Sequence, residues 1–190
     1  MRTRFPHAWS PSDGFTLLEV LVTIGIIIVL SGITVAVMPV ALISARADSS
    51  AATLVAVMRV AREEAISQRR NMQVVFTAPN KIVVSRIEVP GPGTTVVREA
   101  FLGTNYSFLL FAGVPDTPDA FGNATATAFP GATSILFTSS GEFVDQVGDP
   151  VNGTVFIGRT GETLSARAIS IFGPTALIRQ WRWGGSAWVQ

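Results

Sequence analysis

The pattern of apolar and polar positions changes twice along the chain. Across residues 15–45 there is a single charged side chain, Glu19, and apolar residues lie on every face of a helix drawn through the stretch. A run of 18 or more apolar residues is long enough to cross a hydrocarbon core of roughly 30 Å, so this run predicts a transmembrane helix. Gly25, Gly32 and Pro39 interrupt it, and Pro39 lacks the backbone donor a regular turn needs. From Asp48 the pattern becomes one-sided. Leu54, Val57 or Met58, Ala61, Ala65 and Ile66 recur at helical spacing, whereas Arg59, Arg62, Glu63, Arg69 and Arg70 fall largely elsewhere. This predicts an amphipathic helix that continues the membrane segment to about residues 68–71 and lays one stripe on a core. Arg69 and Arg70 at its end suit the helix dipole.

Beyond Asn71 the period shortens to that of strands. Residues 73–77 and 81–89 are rich in β-branched side chains and flank Pro79-Asn80, a hairpin turn. Pro90-Gly91-Pro92-Gly93 marks a loop, from which residues 94–102 return as a strand. Residues 112–133, rich in Gly, Pro, Ala and Thr, predict a long irregular surface loop. Further strands are expected at 134–138, 154–159, 165–172 and 176–183, with Gly184-Gly185 turning the chain into 187–190. One long helix followed by a run of strands predicts an α+β fold. A long N-terminal α-helix, half membrane and half amphipathic, packs on a C-terminal antiparallel β-sheet domain. The expected divisions are a leader at 1–14, a transmembrane or filament-core helix at 15–45, the amphipathic half at 46–71 and a β-rich globular domain at 72–190.

Composition narrows the chemistry. The 190 residues carry a formal net charge of +1, so bulk electrostatics point neither to nucleic acid nor to an acidic partner. Cysteine is absent, which excludes disulfides, thiolate metal sites and cysteine nucleophiles. The one histidine, His7, lies in the leader, so the rest of the chain holds neither a Ser-His-Asp triad nor a histidine metal site. With no paired Asp/Glu motif either, the expectation is a non-enzyme that needs no cofactor and no metal.

The leader explains the lone carboxylate. Arg2 and Arg4 precede the apolar run, and the positive-inside rule keeps that end in the cytoplasm. A secretory signal is cut after its apolar region. Here Gly14-Phe15 offers a cut before it, so the apolar helix would be retained. An intramembrane carboxylate is unfavourable by roughly 2.5–3.5 kcal/mol on insertion scales, which makes Glu19 a functional candidate. The sequence Gly14-Phe15-Thr16-Leu17-Leu18-Glu19 resembles the class III signal of type IV pilins and type II secretion pseudopilins. The resemblance implies that a prepilin peptidase cuts after Gly14 and methylates the new N-terminal Phe15. Glu19 then becomes the fifth mature residue, paired in the filament with the α-amino group of Phe15 on a neighbouring subunit. It further implies that the Gly- and Pro-interrupted segment melts as subunits pack; a static kink reads equally well from the sequence.

The segment Ala61-Arg62-Glu63-Glu64-Ala65-Ile66 resembles the signature of GspH/FimT-type minor pilins, and Phe137 with Gly141 resembles that family's Phe-x-x-x-Gly turn. The partners this implies are the prepilin peptidase, other pilin or pseudopilin subunits in a helical filament, an inner-membrane assembly platform, and membrane lipid before assembly. The chain would sit in the inner membrane as a single pass with its C-terminal domain periplasmic, then enter a pilus or pseudopilus. An alternative is a minor pilin that binds DNA for uptake in transformation; a third, weaker reading is a membrane-anchored enzyme. For the DNA alternative the candidate contacts are Arg179, Trp181 and Arg182, where cations interleave with aromatics. The family's Gly-Arg-x-Arg pattern is not matched there. Strand alternation offers the other account, with tryptophans facing the core and arginines facing water.

Overall fold

The structure, a computed structural model, describes residues 14–129 and 134–190. The leader predicted at 1–14 therefore lies outside the described residues except for Gly14. One helix, α1 (Leu17–Gln68), precedes eleven strands among the described residues. The chain divides after Ala41 into two compact units, of which Leu42–Gln190 is the second.

In the first unit the side chains of Leu17–Val35 are exposed throughout, as an apolar helix awaiting lipid or other helices must be. Two of its hydroxyls are satisfied internally: Thr23 Oγ1 donates to the Val20 carbonyl at 2.8 Å and Thr34 Oγ1 to that of Leu30 at 2.9 Å. Such back-bonding hides a hydroxyl from an apolar surrounding.

In the second unit the remainder of α1 is amphipathic as expected. Ala47, Ala51, Leu54, Val57, Met58, Ala61 and Ala65 are buried, whereas Ile66, predicted for the same stripe, is 45% exposed. Ile66 lies at the edge of the stripe, in the last turn. The helix ends in a Schellman motif: Arg70 N–H donates to the Ala65 carbonyl at 3.1 Å and Arg69 N–H to that of Ile66 at 3.3 Å. Arg69 takes the left-handed conformation (φ 50°) that glycine usually supplies there.

The strands are β1 (Met72–Thr77), β2 (Lys81–Ile87), β3 (Thr94–Phe101), β4 (Ser107–Phe108), β5 (Thr127–Ala128), β6 (Ile135–Phe137), β7 (Phe143–Val144), β8 (Gly153–Arg159), β9 (Glu162–Phe172), β10 (Leu177–Trp183) and β11 (Trp188–Val189). They form two sheets, ordered β3-β2-β1-β6-β7 and β11-β10-β9-β8-β4, with β5 also pairing β8. Every pairing is antiparallel. The β1–β2 hairpin turns at Pro79-Asn80 with Val74 opposite Val84. The short strands β4, β5 and β7 were not expected, because two-residue pairings leave no periodicity to read.

One core joins the helix to both sheets. Leu54 and Met58 of α1 meet Met72, Val74 and Phe137 of the first sheet and Val155, Ile169 and Ile171 of the second. Each such fully buried side chain contributes about 1.5–3 kcal/mol relative to exposure. The second sheet also buries its outer face, where Phe156, Ala166, Ala168, Trp181, Trp183 and Trp188 form a separate cluster. The start of the segment predicted as an irregular surface loop, with the residues just before it, covers that face; residues 130–133 of the segment lie outside the described residues. Leu110, Phe111 and Val114 pack on the tryptophans, and Trp188 Nε1 donates to the Pro115 carbonyl at 2.8 Å.

Candidate processing and assembly site

Gly14, Phe15 and Thr16 have no regular secondary structure, and α1 begins at Leu17. Phe15 is 82% exposed and, among the described residues, nothing lies within 4 Å of the place a side chain on Gly14 would occupy. Among the described residues, nothing covers the Gly14–Phe15 bond. Thr16 starts the helix: its Oγ1 accepts the Glu19 N–H at 3.2 Å, and its carbonyl accepts Val20 N–H at 3.2 Å. Thr16 and Glu19 stand in the Ser/Thr-x-x-Glu relation of a capping box. That signal is visible in the sequence and adds a local role for Thr16 beside the expected ones for Gly14, Phe15 and Glu19.

Glu19 is exposed on the first turn of the apolar helix, where the helix dipole favours negative charge. Among the described residues, no cation lies within ion-pairing distance of it. Its carboxylate is an isolated charge on an apolar surface, a state that burial would penalise until a cation arrived.

The two distant pieces of the second motif meet. Arg62 Nε donates to the Gly141 carbonyl at 2.9 Å, and a side chain on Gly141 would fall 2.9 Å from the Ile66 methyl. Gly141 sits at φ 87° in a turn closed by its N–H to the Thr138 carbonyl at 2.9 Å. Positive φ and close approach both require glycine there. The Arg and Ile of the helical signature are therefore the residues that seat the turn after β6.

A further contact escaped sequence reasoning. Arg167, in line with Ile169 and Ile171 on β9, is fully buried and donates from Nε to Asp48 Oδ1 at 2.6 Å. Its other nitrogens bond Ser44 Oγ at 2.9 Å and the carbonyls of Ser44, Leu164 and Ala166 at 3.2, 3.1 and 2.9 Å. The Tyr106 hydroxyl donates to the Ile43 carbonyl at 2.7 Å, and burial raises its pKa above the ordinary tyrosine value. The signal for Arg167 was a lone cation at a core-facing position of an apolar strand, which calls for an acid within reach.

The Arg/Trp cluster is split across β10. Arg179 and Trp181 share the outer face, while Arg182 is exposed on the opposite one, opposite Arg167 in the strand register. Asp119 collects three donors: Arg179, Trp181 Nε1 at 3.2 Å and the hydroxyl of Ser170. Trp181 is 8% exposed. The three residues do not make one exposed stacking surface. Alternation explains Trp181, Trp183 and Arg182, but Arg179 lies on the tryptophan side.

The molecule is thus a long helix, apolar in its first half and carrying a carboxylate in its first turn, followed by a domain of two antiparallel sheets. The prokaryotic N-terminal methylation motif matches residues 9–35, and the model for the type II transport protein GspH matches residues 50–173. The chain belongs to the GspH family of minor pilins and pseudopilins. Membership carries N-terminal methylation, processing by a prepilin peptidase and assembly with like subunits as family traits. Among solved structures, the type IV minor pilin FimU of Pseudomonas aeruginosa is 20% identical, with 75% of this chain and 97% of that one covered at a TM-score of 0.48. The minor pseudopilin EpsH of the Vibrio cholerae type 2 secretion system is 14% identical, with 73% and 98% covered at a TM-score of 0.48. No curated protein sequence matches.

Proposed function

We propose that this chain is a filament subunit cleaved between Gly14 and Phe15, methylated on Phe15, and assembled through Glu19 into a type IV pilus or type II secretion pseudopilus. What supports this reading is the Glu19 carboxylate, unpaired among the described residues, on the exposed apolar stretch Leu17–Val35 and five residues beyond Gly14. Packing such helices together buries the carboxylate, and the amine freed at Phe15 of a neighbour is the charge that compensates it. Removing one member of a buried pair typically costs roughly 3–5 kcal/mol, enough to set register between subunits. Arg2 and Arg4 favour a cytoplasmic leader and a periplasmic domain. The role is assembly rather than catalysis, with the inner-membrane platform as partner and lipid as the medium before assembly. The DNA-uptake alternative gains no support from Arg179, Trp181 and Arg182, because the indole is buried and the two arginines lie on opposite faces of β10.

The test is the N-terminal mass of the protein recovered from host membranes, with and without Glu19→Ala. A chain starting at methylated Phe15 is expected for both, with the variant retained in the membrane and depleted from filaments. An intact Met1 start, or normal incorporation of the variant, would refute the proposal.

A further inference from the structure

The short 3₁₀ turn Gly173–Thr175, between β9 and β10, projects from the second sheet and is flanked by two hollows. One, of about 440 Å³, is lined by Phe121, Phe172, Leu177, Ser170, Asp119 and Arg179. The other, of about 280 Å³, is lined by Arg59, Arg62, Ile178 and, like the first, Thr175 and Leu177. Leu177 is 48% exposed and Phe172 40% exposed, so the ridge between the hollows is apolar. The turn is held at both ends: Gly173 N–H donates to Asn152 Oδ1 at 2.8 Å, a side chain there would fall within 3 Å of backbone atoms of Val151 and Phe143, and Ala176 closes the turn buried in the left-handed conformation.

The two hollows are lined by three arginines, Arg59, Arg62 and Arg179, and one acid, Asp119. Arg59 is exposed and, among the described residues, neither it nor Arg62 is ion-paired. Arg62 commits Nε to the Gly141 carbonyl, leaving its terminal nitrogens. Arg179 gives one terminal nitrogen to Asp119 and stays half exposed, whereas the Asp119 side chain is only 10% exposed on the floor. A pocket with apolar walls and a few convergent polar groups is the usual form of a binding site. Guanidinium groups recognise carboxylates bidentately. The Phe121 and Phe172 rings pair at 6.4 Å between centroids and 26° between planes, giving the first hollow an aromatic wall.

We propose that this ridge is a docking surface for an acidic polypeptide segment. One apolar side chain of the segment seats against Phe121, Phe172 and Leu177, and its carboxylates meet Arg59, Arg62 and Arg179. The surface lies entirely on the sheet domain and the helix end packed on it, so the inference goes beyond filament assembly and does not rest on processing at Gly14.

The test selects short peptides from a displayed library on the full-length protein in detergent micelles. Peptides pairing Asp or Glu with Leu, Ile or Phe are expected to be enriched. Their affinity should fall by about tenfold or more in Arg59→Gln/Arg179→Gln, as loss of complementary charges across an interface does, and should weaken with added salt. Leu177→Ser, which leaves all charges in place, should also weaken binding, and near-ultraviolet circular dichroism verifies that each variant is folded. Selection without acidic or apolar bias, or enrichment that survives the arginine substitutions, would overturn the proposal. So would preferential capture of a single-stranded oligonucleotide.

Discussion

Replacing Asp48 by alanine should destabilise the second unit more than replacing Arg167, its partner, by methionine. Arg167 is wholly buried and Asp48 is its acid, with that side chain 45% exposed. Asp48→Ala strips the counter-charge and leaves a guanidinium in the core. Breaking a buried pair this way typically costs roughly 3–5 kcal/mol, and water reaching the Asp48 side lowers the expectation to about 2–3 kcal/mol. Arg167→Met removes the buried charge and fills similar volume, while Asp48 turns to solvent. Replacing a buried charge by an apolar side chain of similar volume is often neutral or even stabilising, but the carbonyls of Ser44, Leu164 and Ala166 that lose a donor bring the expectation here to a destabilisation of about 1–2 kcal/mol. The double variant should resemble Arg167→Met alone. Urea unfolding of the full-length protein in micelles, followed by tryptophan fluorescence, reads this directly because Trp181, Trp183 and Trp188 lie on the same sheet as Arg167. With slopes of about 1–3 kcal/mol per molar urea, Asp48→Ala should move the midpoint by about 0.7–3 M. A shift from Asp48→Ala below that from Arg167→Met would refute the reasoning, and would mean that carbonyls and packing hold the guanidinium without the acid.

Three further outcomes are expected. Tyr106 is the only tyrosine, so absorbance near 295 nm titrates it alone; ionisation should come above the ordinary tyrosine range because burial raises it. A raised folded pKa contributes stability that is present below the unfolded value and lost as pH rises through the folded one, and Tyr106→Phe should abolish that alkaline loss. Asp145 behaves oppositely: backbone N–H groups of Asp149, Val147 and Gly148 hold its pKa below the ordinary value. Its contribution is present above the unfolded pKa and is lost as pH falls through the lowered one, so Asp145→Ala should flatten the acid limb of a thermal-denaturation series. Gly173→Ala would place a methyl 2.6 Å and 2.7 Å from Val151 N and O, both backbone atoms, and should cost about 1–3 kcal/mol or more by thermal melting.

Much of this architecture is legible in the amino-acid sequence. The uniform apolarity of 15–45 requires lipid or other helices whatever follows it, and the Gly14-to-Glu19 motif is local chemistry with a local cap at Thr16. The stripe from Leu54 to Ala65 and the hairpin at Pro79-Asn80 are likewise set by neighbours in sequence. Contacts between distant segments decided the rest. Alternation along β10 shows that Trp181 and Arg182 face opposite ways, but not that both faces of the sheet are covered. The segment at 112–133 reads as surface loop because its apolar anchors precede it or stand singly, yet Leu110, Phe111 and Val114 close over the tryptophans and Asp119 draws Arg179 inward. Arg167 reads as one more strand cation until Asp48 and Ser44, far away in sequence, surround it. Periodicity is a property of the chain, and it determined the helix, the longer strands and the apolar setting of Glu19. Which face is inside depends on what the rest of the chain packs against it, so the buried ion pair, the covered tryptophans and the arginine-rimmed ridge were decided by the tertiary structure alone.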